Sequence, residues 1–211
     1  MSSDVCQDLI LQRASSNPLV IVVSGPSGVG KDAILNIMKD RNYPFEFIIT
    51  MTTRRRRANE KHQIDYNFVS EDQFHGLLKN NGLLESANVY GNWYGVPRSP
   101  VREALEQGKD TIIKVDVQGA ANIKKVLPEA VFIFIMPPSL QELSSRLTQR
   151  STETTSDLTR RLETAQSELE QIGIFDYLVI NPCDGIENAI QDILSIIKAE
   201  KCRVNRRKLV L

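Results

Sequence analysis

Residues 25–31, Gly-Pro-Ser-Gly-Val-Gly-Lys, spell the spacing Gly-x4-Gly-Lys. That spacing suits phosphate binding. Glycines let the backbone curl until successive amides point at one anion. The loop would use Gly25, Pro26, Ser27, Gly28, Val29 and Gly30 as its frame, with Lys31 reaching the outer phosphates. A helix starting there adds its positive end. The pattern asks next for Ser or Thr, whose hydroxyl holds Mg²⁺, but the chain has Asp32. A carboxylate is a hard ligand fit for Mg²⁺. It also adds negative charge beside phosphates, and it favours a helix N-terminus whether or not a metal binds. The sequence leaves these readings of Asp32 open. Alone, the loop predicts nucleotide phosphates and does not choose among GTPase, ATPase and kinase.

A second cluster has the same chemistry. Arg54-Arg55-Arg56-Arg57 taken alone reads as a solvated basic loop. Planar guanidinium forks and fixed hydroxyls are, however, the best holders of a phosphate dianion. Tyr66 and Tyr94 downstream supply such hydroxyls and turn the reading towards a second phosphate site. His62 and His75 have no sequence partner that suggests catalysis or a metal, and read as solvated.

These residues need elements to position them. Leu19–Val23 is a continuous β-branched run, the mark of a strand buried on both faces. Apolar residues at 33, 34, 37 and 38 predict a helix after the loop. Strands are predicted over 45–51, 64–69, 83–90, 111–117, 131–136 and 177–180. Helices are predicted from Ser70, with Gln73 completing a capping box, and over 97–107, 139–150, 156–171 and 186–199. Alternation of strand and helix predicts an α/β fold with a parallel sheet. The strand-rich stretch 45–95 interrupts that rhythm and suggests a separate small lobe. Asp116 follows a buried strand, at the sheet edge where α/β ligands bind.

Composition narrows the classes. The 211 residues suit one domain. With 26 basic and 26 acidic residues the net charge is zero, which argues against a nucleic-acid coat. No apolar run approaches the roughly 18 residues of a membrane span. Three widely spaced cysteines, Cys6, Cys183 and Cys202, fit neither a disulfide framework nor a metal site. The expectation is a cytoplasmic protein with no nucleic-acid or membrane partner. An organelle matrix is equally compatible if a targeting segment was removed.

Over about residues 18–200 the chain resembles guanylate kinase. The likeness is carried by Ser-Gly-Pro-Ser-Gly-x-Gly-Lys at 24–31, Thr-Thr-Arg-x-x-Arg at 52–57 and Asp-Tyr-x-Phe-Val at 65–69. It continues in Tyr-Gly-Asn-Trp-Tyr-Gly at 90–95, Asp-Val-Gln-Gly at 116–119, Pro-Pro-Ser at 137–139 and the Thr-Glu-Thr run after Arg150. The ordered set is far more specific than any one member. The resemblance implies a P-loop NTPase fold, a three-layer α/β/α sandwich with a central parallel sheet, an inserted GMP-binding lobe and a mobile lid. Core segments would be 18–47, 98–139 and 166–200, the lobe 48–97 and the lid 140–165, with flexible ends at 1–17 and 201–211. The implied reaction moves the γ-phosphoryl group of ATP, with Mg²⁺, onto GMP.

The resemblance also implies roles. Arg54 and Arg57 would hold the GMP phosphate with Tyr66 and Tyr94. Glu85 would accept from the ring N–H and exocyclic amine of guanine, and Thr50 would contact the base. Asp116 would face the GMP and metal region, in contact with the metal through water. Arg146, Arg150 and Arg161 would clamp the phosphates from the lid, and Asn181 would lie near the adenine. Arg160 reads as a surface ion-pairing residue. Two further departures stand out. Val96 replaces a Ser or Thr that helps bind guanine, and Lys114 replaces a common acidic residue.

Overall fold

The computed structural model describes residues 17–58, 60–89, 91–149, 155–205, 207, 209 and 211. Its strands are β1 (Val20–Ser24), β2 (Phe45–Ile48), β3 (Met51–Thr52), β4 (Asn67–Phe68), β5 (Leu83–Val89), β6 (Asn92–Pro97), β7 (Asp110–Lys114), β8 (Val131–Met136) and β9 (Tyr177–Ile180). Its helices are α1 (Lys31–Asp40), α2 (Glu71–Lys79), α3 (Arg98–Glu106), α4 (Val117–Val126), α5 (Leu140–Gln149), α6 (Thr155–Glu170) and α7 (Ile186–Lys201).

Five strands form an all-parallel sheet in the order β2-β7-β1-β8-β9. The buried run of β1 serves both faces, because successive side chains alternate. Ile21 and Val23 pack with α1 and α7, through Ile34, Met38, Ile190 and Ile193. Val20 and Val22 pack on the other face with Val101, Ala120, Ile123 and Phe132. The result is the expected three-layer α/β/α sandwich. No helix among the described residues is long and apolar enough to cross a membrane.

The second sheet, β4-β3-β6-β5, is separate from the first. Its β5–β6 pairing is antiparallel, with a register shift between Leu83 and Glu85. Leu83, Leu84 and Glu85 are consequently all buried, which a regular strand facing water on one side would not allow. Helix α2 starts with the expected capping box, in which Ser70 and Gln73 satisfy one another's amides. His75 is not simply solvated: its ring meets the edge of Trp93 at 5.4 Å, and Phe74 lies 5.8 Å from the same indole. Trp93 therefore packs the lobe onto α2.

Several predicted elements are corrected. The single strand over 45–51 is two, in different sheets. The break falls at Ile49-Thr50, where the Thr50 carbonyl accepts instead from the Asn67 amide at 2.9 Å. The strand over 111–117 stops at Lys114, because the Asp116 carboxylate caps the next helix by accepting from the Gly119 amide at 2.7 Å. Only Asn67–Phe68 of the strand over 64–69 is extended in a ladder. Strand β6 and helix α4 had no counterpart in the sequence reading.

Candidate active site

Most of the predicted groups collect at the carboxyl edge of the parallel sheet. The Gly25–Lys31 loop follows β1, Thr50 follows β2, Asp116 follows β7 and Asn181 follows β9. The loop needs its glycines for space and sign of φ. Gly25 has φ 139°, and a Cβ there would stand 2.1 Å from the Ile135 carbonyl oxygen. Gly30, at φ 98°, caps α1 in the left-handed region that favours glycine.

Lys31 lies folded across the loop, its Nζ donating to the carbonyls of Gly25 at 2.5 Å and Pro26 at 3.0 Å. Burial pushes its pKa down, against the pull of Glu168 and Asp32. Glu168, from α6, accepts from the Ser27 backbone amide and faces Lys31. Burial raises its carboxyl, and its Oε2 has no hydrogen-bond partner among the described residues. A carboxylate thus occupies the place where the loop would hold a phosphate. Nothing in the sequence marked Glu168, because one acidic residue on a polar helix is ordinary.

The rim of the loop is braced by two predicted residues. The Asn181 side-chain amide donates to the Val29 carbonyl at 2.8 Å, and its Oδ1 is buried and unpartnered among the described residues. Arg146 donates to the Val29 carbonyl at 3.1 Å and the Asn181 carbonyl at 2.7 Å, and pairs with Glu142. Its guanidinium is thus spent on the loop and on its own helix. Arg150, and the side chain of Arg161 on α6, lie outside the described residues.

The arginine–tyrosine cluster predicted as a second phosphate site sits on the β3–β6 lobe. Arg54 donates through Nε to the Tyr94 hydroxyl at 3.2 Å, and its guanidinium lies 5.7 Å from the Tyr66 ring centroid. Tyr66 and Tyr94 meet edge to face at 6.1 Å. Glu60 completes the cluster: its carboxylate accepts from Arg54 Nη2 at 2.7 Å and from the Arg57 amide at 2.8 Å. Burial would raise the Glu60 carboxyl, but Arg54 and Arg57 outweigh it and hold it below the usual range. The same bonds raise Arg54 in spite of its own burial. The Arg57 side chain itself points outward, 67% exposed. Glu60, three residues after Arg57, was legible only as a further charge in a charged loop.

Two carboxylates converge beside α4. Glu85 on β5 and Asp116 at the helix start both approach Gly119, where a Cβ would lie 3.0 Å from Glu85 Oε1 and 3.1 Å from Asp116 Oδ1. Burial, followed by repulsion from Asp116, pushes the Glu85 carboxyl up to about 8. Burial raises Asp116 as well, despite its bond to Gly119 and the nearby Lys31. Glu85 Oε2 is buried with no partner among the described residues. A buried carboxyl helped only by Asn122, with one oxygen unpartnered, is poised for a ligand that brings donors. Thr50 is buried and lines a separate small cleft with Asp32, Lys39, Asp65 and Lys114. Val96, opposite Glu85 in the β5–β6 ladder, is fully buried in the apolar core with Leu84 and Val101.

Lys114 and Asp32, two departures from the expected pattern, are joined: the Lys114 ammonium donates to Asp32 Oδ1. Burial works against the Lys114 charge, yet Tyr66 and Asp32 outweigh it and its pKa is raised. Among the described residues no three His, Cys, Asp or Glu side chains group as a ready-made metal site.

The arrangement has known counterparts. The guanylate kinase family model matches residues 16–200. A guanylate kinase of Clostridium tetani is 44% identical over 190 residues, covering 90% of each chain. One from Lactobacillus johnsonii is 42% identical over 189 residues, covering 89% of this chain and 92% of its own. The crystal structure of guanylate kinase from Anaplasma phagocytophilum superposes with TM-score 0.73 at 32% identity, over 91% of this chain and 90% of that one. With its loop, its arginine–tyrosine lobe and its paired carboxylates in that order, the chain belongs to the guanylate kinase family.

Proposed function

We propose that the chain is an ATP:GMP phosphotransferase, moving the γ-phosphoryl group of ATP onto GMP or dGMP to give ADP and the nucleoside diphosphate. The observation that carries this reading is the buried Glu85 carboxyl, unpartnered at Oε2 and beside Asp116, on the lobe that also bears Arg54, Tyr66 and Tyr94. Only guanine among the common bases offers two adjacent N–H donors to one carboxylate. Segment 48–97 is then the acceptor lobe and 140–165 the lid.

Phosphoryl transfer rests on positioning and charge. The Gly25–Lys31 amides and the α1 N-terminus hold the ATP phosphates, and Lys31 turns from its carbonyl partners to the transferring group. Arg54 and Arg57 exchange Glu60 for the GMP phosphate, with the hydroxyls of Tyr66 and Tyr94 completing the cradle. Arg146, Arg150 and Arg161 line the lid side, and Asn181 the adenine side. Thr50 borders the base. No general base is needed, since a phosphate oxygen of GMP is already nucleophilic. Closure of the lid keeps water from the γ-phosphate. Asp32, and Asp116 through a water, would be the residues that hold Mg²⁺ with ATP, and the ion would supply charge neutralisation for the phosphates; this small set suits a cation that keeps most of its water and takes phosphates as ligands. The substrates set the location, a cytoplasm or organelle matrix where ATP and GMP meet.

ADP formation with ATP, Mg²⁺ and GMP, beside the same mixture lacking GMP, tests the reading. GMP-dependent ADP at a rate far above that with AMP or UMP is expected. Equal rates without GMP would mean an ATPase. A folded protein with no turnover would mean a binding module.

A further inference from the structure

The Asp32–Lys114 pair spans 82 residues of sequence and joins two sites. Asp32 stands in the first turn of α1, directly after the loop lysine. Lys114 ends β7, in register with Val23 of the loop strand β1. Its Nζ lies 4.6 Å from the Tyr66 ring centroid, on a ring that also carries the Arg54 guanidinium at 5.7 Å. A continuous line of groups therefore runs from the donor-phosphate helix to the acceptor-phosphate cluster: Asp32, Lys114, Tyr66, then Arg54 and Tyr94.

Neither charge is favourable alone. A carboxylate next to Lys31 repels the phosphates that the loop exists to hold. The Lys114 side chain is only 17% exposed, and a cation so placed needs a partner. Paired, they are neutral as a unit, and each fixes the other's orientation. We propose that Lys114 is a positioning residue for the transfer. It cancels the repulsion that Asp32 would exert on ATP, and it holds Tyr66 and the acceptor phosphate in line with the loop. The inference rests on the GMP-kinase reading for its acceptor arm only.

The test uses five proteins of the same length: the unaltered chain, Lys114→Met, Lys114→Arg, Asp32→Ser and the double variant Lys114→Met with Asp32→Ser. Two readouts are taken, KM and kcat for GMP and Mg·ATP, and calorimetric Kd for ATP in EDTA. Lys114→Met is expected to weaken metal-free ATP binding about tenfold, through loss of the cation that answers Asp32, and to raise the GMP KM. Asp32→Ser is expected to tighten metal-free ATP binding severalfold. Added to Lys114→Met, it should recover most of the lost ATP affinity, so that the double variant binds better than the single one. Lys114→Arg should keep near-normal values.

A merely structural pair would lower Tm in both single variants and leave both readouts within twofold of the unaltered chain; that result overturns the proposal. So does a double variant that binds metal-free ATP no better than Lys114→Met. Should Lys114→Met not fold, Asp32→Ser decides alone: tighter metal-free ATP binding supports the proposal, and unchanged or weaker binding refutes it. If the unaltered chain shows no GMP-dependent turnover, the acceptor reading fails, while the ATP measurements still judge the pair.

Discussion

Glu85 carries the sharpest consequence of a single environment. Its carboxyl, raised from 4.5 to about 8, keeps its proton in the folded chain over that interval while the unfolded chain gives it up. The folded state then binds more protons, so stability falls as pH rises across the window and is level above it. Glu85→Gln should remove that slope, raising Tm most at pH 8.5 and above, in thermal melts taken from pH 5 to 9. The same variant should lose GMP use by at least about a hundredfold, because the acceptor for guanine is gone. GMP recognition needs the ionised carboxylate, so GMP binding at pH 7.5 should release protons. Calorimetry in buffers of different ionisation enthalpy reads this directly, and no net release would separate Glu85 from the base. Gly119 belongs to the same corner. Gly119→Ala favours the helix by about 1 kcal/mol but crowds Glu85 Oε1 at 3.0 Å and Asp116 Oδ1 at 3.1 Å. Its expected signature is a GMP KM raised about tenfold with ATP KM and Tm little changed.

At the scale of the element, the Gly25–Lys31 loop was the most legible part of the chain. A β-branched run, three glycines and an amphipathic helix agree locally, and each is a property of neighbouring residues. Lys31→Ala should cost at least about a hundredfold in kcat/KM. Tm should hold or rise, since the substitution removes a cation that burial disfavours. A large fall in Tm would instead make the lysine a structural prop for the carbonyls of Gly25 and Pro26. The capping box at Ser70 was equally legible. Helix α4 was not, because its start depends on Asp116 turning to the Gly119 amide, and the apolar residues before it extend the strand pattern without a break. Strand β6 was hidden too. Its sequence, Asn-Trp-Tyr-Gly-Val-Pro, has weak alternation, and its pairing with β5 through an irregular register makes it a strand.

Across the whole molecule, the C-terminal end of α6 reaches back to the loop. Glu168 bonds the Ser27 amide and faces Lys31, so on the proposed function ATP phosphates would displace this carboxylate. Glu168→Gln should tighten ATP binding severalfold in equilibrium titrations, leaving GMP binding unchanged. Weaker ATP binding would show instead that Glu168 orders the loop for its ligand. Glu60 stands in the arginine cluster in a similar way, between Arg54 and the Arg57 amide. Both the loop and the arginine cluster thus carry an acidic side chain, which limits the repulsion among the clustered cations.

The sequence by itself determined the α/β class, the phosphate loop and the family, with its ordered motifs in the expected places. These follow from local periodicity, glycine spacing and short-range chemistry. The tertiary structure alone decided that Asp32 is answered by Lys114, that Glu60 joins Arg54 and the Arg57 amide, that Glu168 meets the Ser27 amide, that Arg146 braces Val29 and Asn181, and that Val96 belongs to the core. Each of those contacts joins residues whose approach depends on strand order and helix packing, and charge or hydropathy at one position carries no information about what a distant segment will bring to it.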